Sequence, residues 1–207
     1  MEFKTFDPTK IGFGVVYVEA ARQGGKTVLG RDLLFHNKAK FNRAVYAEPG
    51  DIATDAYDEQ DFPVWCELKD YGEMQSIMDA QKTGGGNVVV IMEHYTAHDS
   101  GIGRELYLNG RHRRMLCINS EQAFYPSCAP LKGQVDYEFI RLVMDKQKTW
   151  KRAFNIFPTY EEFLDAYNRC TQDYSFMVID NTVRSDRIED RVFRYKATYP
   201  LPEFTLG

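Results

Sequence analysis

The sequence has few cysteines, no long apolar run and no excess of positive charge, and each absence excludes a class of protein. Its 4 cysteines are scattered without a CxxC pair, which argues against a disulfide scaffold or a zinc ribbon and favours reduced core thiols. The longest apolar run, residues 88–92, is far shorter than the roughly 20 residues that a membrane helix needs. The net charge of −4 argues against a general electrostatic coating of nucleic acid.

The first residues lack the apolar stretch of a signal peptide and the Arg/Ser-rich stretch of a transit peptide. We therefore expect an intracellular protein without a membrane-spanning segment. Of the 207 residues, 43% are hydrophobic, which is enough to bury a sizeable core. No internal repeat, low-complexity tract or linker is visible, so a single domain over residues 1–207 is predicted.

Short β-rich runs alternate with amphipathic stretches, which predicts an α/β fold with a mainly parallel sheet. Strands are predicted at residues 14–19, 43–47, 87–93, 115–119, 135–142, 174–180 and 191–197. Helices are predicted after Gly25, at residues 70–81, and from a Thr159–Glu162 capping box to about residue 169. Residues 51–61 and 122–134 are predicted to be loops. The continuous apolar character of residues 88–92 indicates a central strand buried on both faces.

A segment that fits the broad Walker A pattern separates the first predicted strand from the first helix. Small residues allow the backbone N–H groups to curl around phosphates, Lys26 supplies a positive charge, and the Thr27 hydroxyl can bind Mg²⁺. The start of the following helix adds its positive dipole end. A chance glycine-rich turn is the alternative, but the strand-to-helix context favours a phosphate loop. The predicted nucleotide-binding residues are Ala20, Ala21, Arg22, Gln23, Gly24, Gly25, Lys26, Thr27 and Val28.

Glu93 ends the apolar run and resembles the acid of a Walker B strand. At the carboxyl end of a parallel strand it would lie beside the phosphates, as a base or as a carboxylate on the metal side. Met92 stands where an aspartate normally holds Mg²⁺, and a thioether is a poor ligand for a hard cation. A surface glutamate is the alternative for Glu93. His94 and His98 have metal-ligand spacing, but an ordinary pair of loop histidines is favoured.

A further box, Asn109-Gly110-Arg111-His112, precedes the predicted strand at residues 115–119, and Gln122 follows that strand. With these segments the chain resembles the genome-packaging ATPases of nucleocytoplasmic large DNA viruses, in the FtsK–HerA branch of P-loop NTPases. The resemblance covers residues 16–197 and includes the following later segments: Val135-Asp136-Tyr137, Phe157-Pro158-Thr159, Val178, Asp180-Asn181-Thr182, residues 188–193 and Tyr195-Lys196-Ala197.

The resemblance implies a three-layer P-loop fold and an ATPase that uses ATP and Mg²⁺ to move double-stranded DNA into a viral capsid. It implies that Gln122 senses the γ-phosphate and that Arg111 stabilises the transition state in its own or a neighbouring subunit. It also implies a homo-oligomeric ring, a capsid or portal partner, and a location in the host-cell cytoplasm, at the viral factory, and in the virion. A surface arginine is the alternative for Arg111.

Two departures from the family pattern bear on activity. The family usually has paired aspartates where this chain has Met92-Glu93, and an arginine where Lys132 stands. We therefore expect slow hydrolysis. A relative that binds nucleotide but no longer hydrolyses it, with a structural or regulatory role, is the second hypothesis. A small-molecule P-loop kinase is the third.

Two groups of basic residues could contact DNA phosphates. The first surrounds Arg111, and the second is explained as well by a solvated helix face. Their members are Arg111, His112, Arg113 and Arg114 in the first group, and Lys146, Lys148, Lys151 and Arg152 in the second.

Overall fold

Strands and helices alternate along the chain. The computed structural model describes residues 2–47, 66–69, 71–93, 101–122, 131–153 and 155–206. The strands are β1 (Gly14–Ala20), β2 (Arg43–Ala47), β3 (Cys66–Lys69), β4 (Val88–Glu93), β5 (Met115–Glu121), β6 (Tyr137–Arg141), β7 (Phe176–Asp180) and β8 (Val192–Tyr195). The helices are α1 (Lys26–Asn37), α2 (Tyr71–Lys82), α3 (Gly101–Asn109), α4 (Lys146–Arg152), α5 (Tyr160–Cys170) and α6 (Ile188–Arg191).

In the described part of the chain, the strands form one 8-stranded sheet in the order β3-β2-β4-β5-β1-β6-β7-β8. Every neighbouring pair is parallel from β3 to β6, and only β7 runs against the others, because both of its pairings are antiparallel. Strand β1 therefore lies inside the sheet, and the carboxyl ends of β4, β5, β1 and β6 share one edge. The predicted α/β fold with a mainly parallel sheet is confirmed.

Alternation along β1 separates the two faces of the sheet. Val16 and Val18 face the layer of α1, where Leu29, Leu33 and Phe139 complete an apolar cluster. This cluster is fully buried and fixes α1 directly behind the loop that joins it to β1. The packing of α1 therefore determines where the first turn of the helix points.

The opposite face carries two apolar clusters. One joins β4 and β5 to α2 and α3, and includes Met74, Met78 and Leu106. The other joins β6 and β7 to α5, and includes Phe163 and Tyr167. Helices on both faces of the sheet give the three layers that the sequence predicted.

Most predicted elements agree with the structure to within a few residues. The Thr159–Glu162 capping box is present and opens α5. The predicted loop at residues 51–61 lies outside the described residues. Cys117 and Cys170 are buried free thiols, as expected, and burial raises the pKa of both. Among the described helices, none has the length and apolarity needed to cross a membrane.

Candidate nucleotide-binding site

The segment between β1 and α1 has the geometry of a phosphate loop. Gln23 has φ 59° and Gly25 has φ 84°, so the chain turns through left-handed conformations before α1 begins. At Gly24, a Cβ atom would lie 2.7 Å from the carbonyl oxygen of Ala21, which excludes any larger residue without a backbone shift. The Gly24 N–H donates to the same oxygen at 2.9 Å. Only glycine therefore fits the tightest point of the loop.

Lys26 is buried beneath this loop, although lysine side chains are usually exposed. Its Nζ donates to the carbonyl oxygens of Ala20 at 3.1 Å and Ala21 at 3.3 Å. An ammonium group at the base of the loop can attract an anion that binds there. Ala20 is the last residue of β1, in extended backbone, and this explains why alanine is acceptable at the first position of the pattern.

Arg141 is a second cation at the loop and was not among the residues predicted from the sequence. It ends β6, opposite Ala20 in the register, and its Nη1 donates to the carbonyl oxygen of Gly24 at 2.8 Å. Its guanidinium carbon lies 5.0 Å from the ring centre of Tyr174 and 5.9 Å from that of Phe176. The sequence could have predicted this position of Arg141, because a charged residue that ends a buried parallel strand lies at the same edge of the sheet as the phosphate loop.

A buried ion network supports the strand that carries the loop. Arg152 on α4 donates to Glu19, one residue before Ala20, at 2.5 Å and to Glu138 on β6 at 2.8 Å. Thr149 donates to the other oxygen of Glu19 at 3.2 Å. Burial alone would lower the pKa of Arg152, but the Glu138 and Glu19 carboxylates outweigh it and the pKa is raised. The guanidinium therefore stays charged and holds two carboxylates together.

Gln122 directly follows β5, which lies between β4 and β1. In the register, Ser120 is opposite Glu93 and Glu121 is opposite Glu19, so Gln122 and the backbone of Glu93 lie at the edge that carries the phosphate loop. The side chain of Glu93 lies outside the described part of the structure. So do His94 and His98, and Glu48, which follows β2.

Buried polar residues on β5 surround this edge. Asn119 donates to the Tyr107 hydroxyl at 2.9 Å and to Glu121 at 3.2 Å. Burial, and then the negative charge of Glu121, raise the pKa of Tyr17 on the neighbouring strand. Glu121 is therefore a second carboxylate at the edge where the sequence predicted only Glu93. Within the described residues, no group of three or more metal-ligating side chains is preassembled.

Met92 is a core residue. Its side chain is 1% exposed and belongs to the apolar cluster with Met74 and Met78. A carboxylate at this position would be buried among methionines and aliphatic side chains, which is costly. Met92, which stands where the family pattern has an aspartate, therefore packs in the apolar core of this chain.

Arg111 lies at the other edge of the sheet. It forms an ion pair with Asp136, next to Gly14 at the start of β1, whereas Lys26 contacts Ala20 at the end of that strand. Arg111 and Lys26 therefore lie at opposite ends of β1, whose length is about 20 Å at roughly 3.3 Å per residue. Arg111 cannot reach a nucleotide at Lys26 of its own chain, so the own-subunit version of its predicted role is wrong. A role across a subunit boundary stays a prediction.

The surroundings of Arg111 form a polar cleft of about 630 Å³ at this amino-terminal edge. Basic side chains and asparagines line much of it, and burial lowers the pKa of Lys132 within it. The Arg111 side chain is 60% exposed, so it is available to another molecule. The lining includes Arg111, His112, Lys132, Asn155, Asn181, Arg184 and Arg191.

Neither predicted basic group is available as a whole for DNA. In the first, Arg113 is paired with Glu105 and Arg111 with Asp136. In the second, Arg152 is buried in the ion network, which leaves Lys148 and Lys151 as its exposed members. The exposed lysines of α4 fit both explanations, a solvated helix face and contact with DNA phosphates.

Solved structures share this arrangement of sheet, loop and helices. The DNA-packaging ATPase B204 from Sulfolobus turreted icosahedral virus has a TM-score of 0.58 and 14% identity, and the match covers 82% of this chain and 93% of B204. The chain therefore has the fold of this ATPase. B204 from the related virus 2, in complex with AMPPCP, has a TM-score of 0.57 and 15% identity over 86% of this chain and 96% of that one. At such identities the likeness shows the fold alone.

Curated relatives with detectable sequence similarity are viral proteins without an assigned activity. Protein L437 of Acanthamoeba polyphaga mimivirus is 34% identical over 97 residues, which cover 45% of this chain and 34% of that protein. Protein 088R of Invertebrate iridescent virus 3 is 24% identical over 207 residues, covering 93% of this chain and 78% of the relative. No protein-family model matches the chain.

Proposed function

We propose that the chain is an ATP-driven motor that moves viral double-stranded DNA into a capsid. The observation that carries the proposal is the phosphate loop with Lys26 buried beneath it, at the edge where Gln122 follows the end of β5. The likeness of the fold to a DNA-packaging ATPase supports the choice of DNA as the molecule that is moved.

Each residue of the site has a role in this proposal. The loop backbone and Lys26 hold the phosphates, Glu93 orients the attacking water, and Gln122 senses the γ-phosphate. Thr27 is exposed in the first turn of α1, where its hydroxyl can bind a cation shared with the phosphates, so the donors fit Mg²⁺. When bound, Mg²⁺ would neutralise charge that develops on the phosphates.

The assembly follows from the same assignment. A single ATPase domain of residues 1–207 forms a homo-oligomeric ring, which docks on a capsid or portal component. The motor works in the host-cell cytoplasm, at the viral factory, and is carried into the virion. The exposed face of Arg111 is the surface through which one subunit approaches the nucleotide of its neighbour.

ATP hydrolysis with and without double-stranded DNA tests the proposed function. We expect turnover that rises when DNA is added, because only a motor couples hydrolysis to DNA. Turnover that DNA does not change would favour a small-molecule kinase and contradict the motor. A phosphate acceptor assay in the same samples would then detect transfer to a substrate other than water.

Met92 favours a second candidate, a subunit that binds ATP without hydrolysing it. Because this buried thioether stands where a metal-side carboxylate is usual, Mg²⁺ is left with fewer protein ligands. Tight ATP binding without turnover, in the presence or absence of DNA, would support this candidate over the motor.

Replacing Arg111 with alanine is expected to leave ATP affinity unchanged and to lower turnover at least about tenfold, as expected when one transition-state charge contact is lost. The melting temperature should change little, because the Arg111 side chain is 60% exposed and Asp136 keeps its hydrogen bond from the Val15 N–H, at 2.9 Å. Initial rates, calorimetry and melting curves on both proteins measure the three quantities. Arg114→Ala, which removes an exposed arginine close to Arg111, is the control.

Mixing two variants of lowered activity shows whether Arg111 acts across a subunit boundary. An oligomer of Arg111→Ala and Lys26→Ala subunits contains some sites with an intact loop from one chain and an intact arginine from the next. We expect part of the turnover to return on mixing. A collapse of the melting temperature with unchanged turnover per folded molecule would instead make Arg111 a structural residue.

A further inference from the structure

Three large apolar side chains are exposed beside the phosphate loop. Leu142 is 49% exposed, Met144 is 78% exposed and Tyr174 is 76% exposed. We call these three residues the apolar ledge. Of the described residues, the other exposed large hydrophobic side chains are Leu108 and Tyr199, outside the ledge. Burial of such side chains is favourable, so their clustering at one edge of the sheet calls for a ligand.

The ledge is continuous with the loop. The N–H of Ala21 donates to the carbonyl oxygen of Leu142 at 3.3 Å, which ties the segment after β6 to the loop backbone. Arg141 connects the other side, since it donates to Gly24 and lies under the ring of Tyr174 at 5.0 Å. A molecule held by its phosphates at the loop would therefore extend over the ledge.

The backbone that carries these side chains is strained. Leu142, Asp173 and Tyr174 have φ values of 49°, 50° and 62°, a region that residues with a Cβ rarely adopt. Hydrogen bonds hold both segments in place: the N–H of Val143 donates to the Tyr167 hydroxyl at 3.2 Å, and Arg194 donates to Asp173 at 3.4 Å. The ledge is therefore a preformed surface.

We propose that the apolar ledge binds the base of the nucleotide, with the ring of Tyr174 stacked on the base and Leu142 and Met144 against its edges. This inference rests on the proposed nucleotide binding at the loop. A base is planar, aromatic and largely apolar on its faces, which matches an exposed tyrosine ring between aliphatic side chains. Arg141 holds the ring from the other side through a cation–π contact.

The role of the ledge predicts a difference between two ligands, ATP and inorganic tripolyphosphate. Tyr174→Ala should weaken ATP binding about tenfold, the usual effect of losing one stacked base, and leave tripolyphosphate binding unchanged. Tyr174→Phe should keep the affinity for ATP, because the stacking ring remains. Leu108→Ala, an exposed apolar residue at the opposite edge, is the control and should change neither affinity.

The results of these measurements distinguish base binding at the ledge from phosphate binding at the loop. If Tyr174→Ala binds ATP as tightly as the unchanged protein does, the ledge does not bind the base, and the proposed function is unaffected. If ATP and tripolyphosphate weaken equally, Tyr174 acts through the shape of the loop and the proposal is wrong. If the unchanged protein binds neither ligand, nucleotide binding at the loop itself fails. A changed oligomeric state with unchanged ATP affinity would assign the ledge to a subunit contact.

Discussion

Calorimetry on the Lys26→Ala variant is expected to show ATP binding weakened by at least about a hundredfold, which corresponds to roughly 3 kcal/mol. The physical reason is the position of Lys26: its ammonium is buried under the loop, where it donates to the carbonyl oxygens of Ala20 and Ala21. The phosphates would lose the positive charge closest to them, and Arg141 reaches the loop only through Gly24.

The matched control is Lys148→Ala, which removes a lysine with a 71% exposed side chain from α4. It should leave ATP affinity unchanged, so a general effect of net charge can be separated from the local one. Unchanged affinity in Lys26→Ala would mean that the nucleotide binds elsewhere on the chain. Melting curves of both variants identify any loss of binding that comes from unfolding.

The second large effect is expected from Arg152→Met. Methionine has a similar length but no charge, so Glu19 and Glu138 would be left buried without the cation that joins them. Removing one partner of a buried ion pair costs about 3–5 kcal/mol. For a chain of this size, a loss of that order lowers the melting temperature by roughly 10 °C. Thermal unfolding followed by circular dichroism measures it.

Two further variants test the electrostatic explanation. Adding Glu138→Gln to Arg152→Met removes one of the two carboxylates and should recover part of the lost stability. Arg187→Ala breaks an exposed ion pair with Glu189 and should cost no more than about 1 kcal/mol. If Arg152→Met melts at the temperature of the unchanged protein, the network does not stabilise the fold.

The elements that the sequence predicted well are those with a strong period or a strong signal at their ends. Strand β4 is a continuous apolar run, and α5 begins at a capping box. Strand β3 was not predicted, because it has four residues and contains two charged ones. Helix α3 was not predicted either, since it opens with Gly-Ile-Gly and glycine is a poor helix former.

The site was predicted where it depends on local sequence and missed where it depends on topology. The loop at Lys26 is a contiguous pattern, whereas Glu19 and Arg152 meet only because α4 packs over β1. The position of Arg111 could have been predicted, because a residue just before a parallel strand lies at the amino edge of the sheet. The phosphate loop, which follows a strand, lies at the carboxyl edge.

The position of β1 inside the sheet has a consequence for the order in which the protein folds during synthesis. Strand β1 is made before both of its partners, because it pairs Gly14 with Leu116 on one side and Val16 with Tyr137 on the other. Each pairing joins residues more than 100 positions apart, and such distant pairings form slowly. Arg141, which holds Gly24, is made later still. We therefore expect the phosphate loop to form only after β6 is in place, so that a nucleotide could act as a ligand only from that point on.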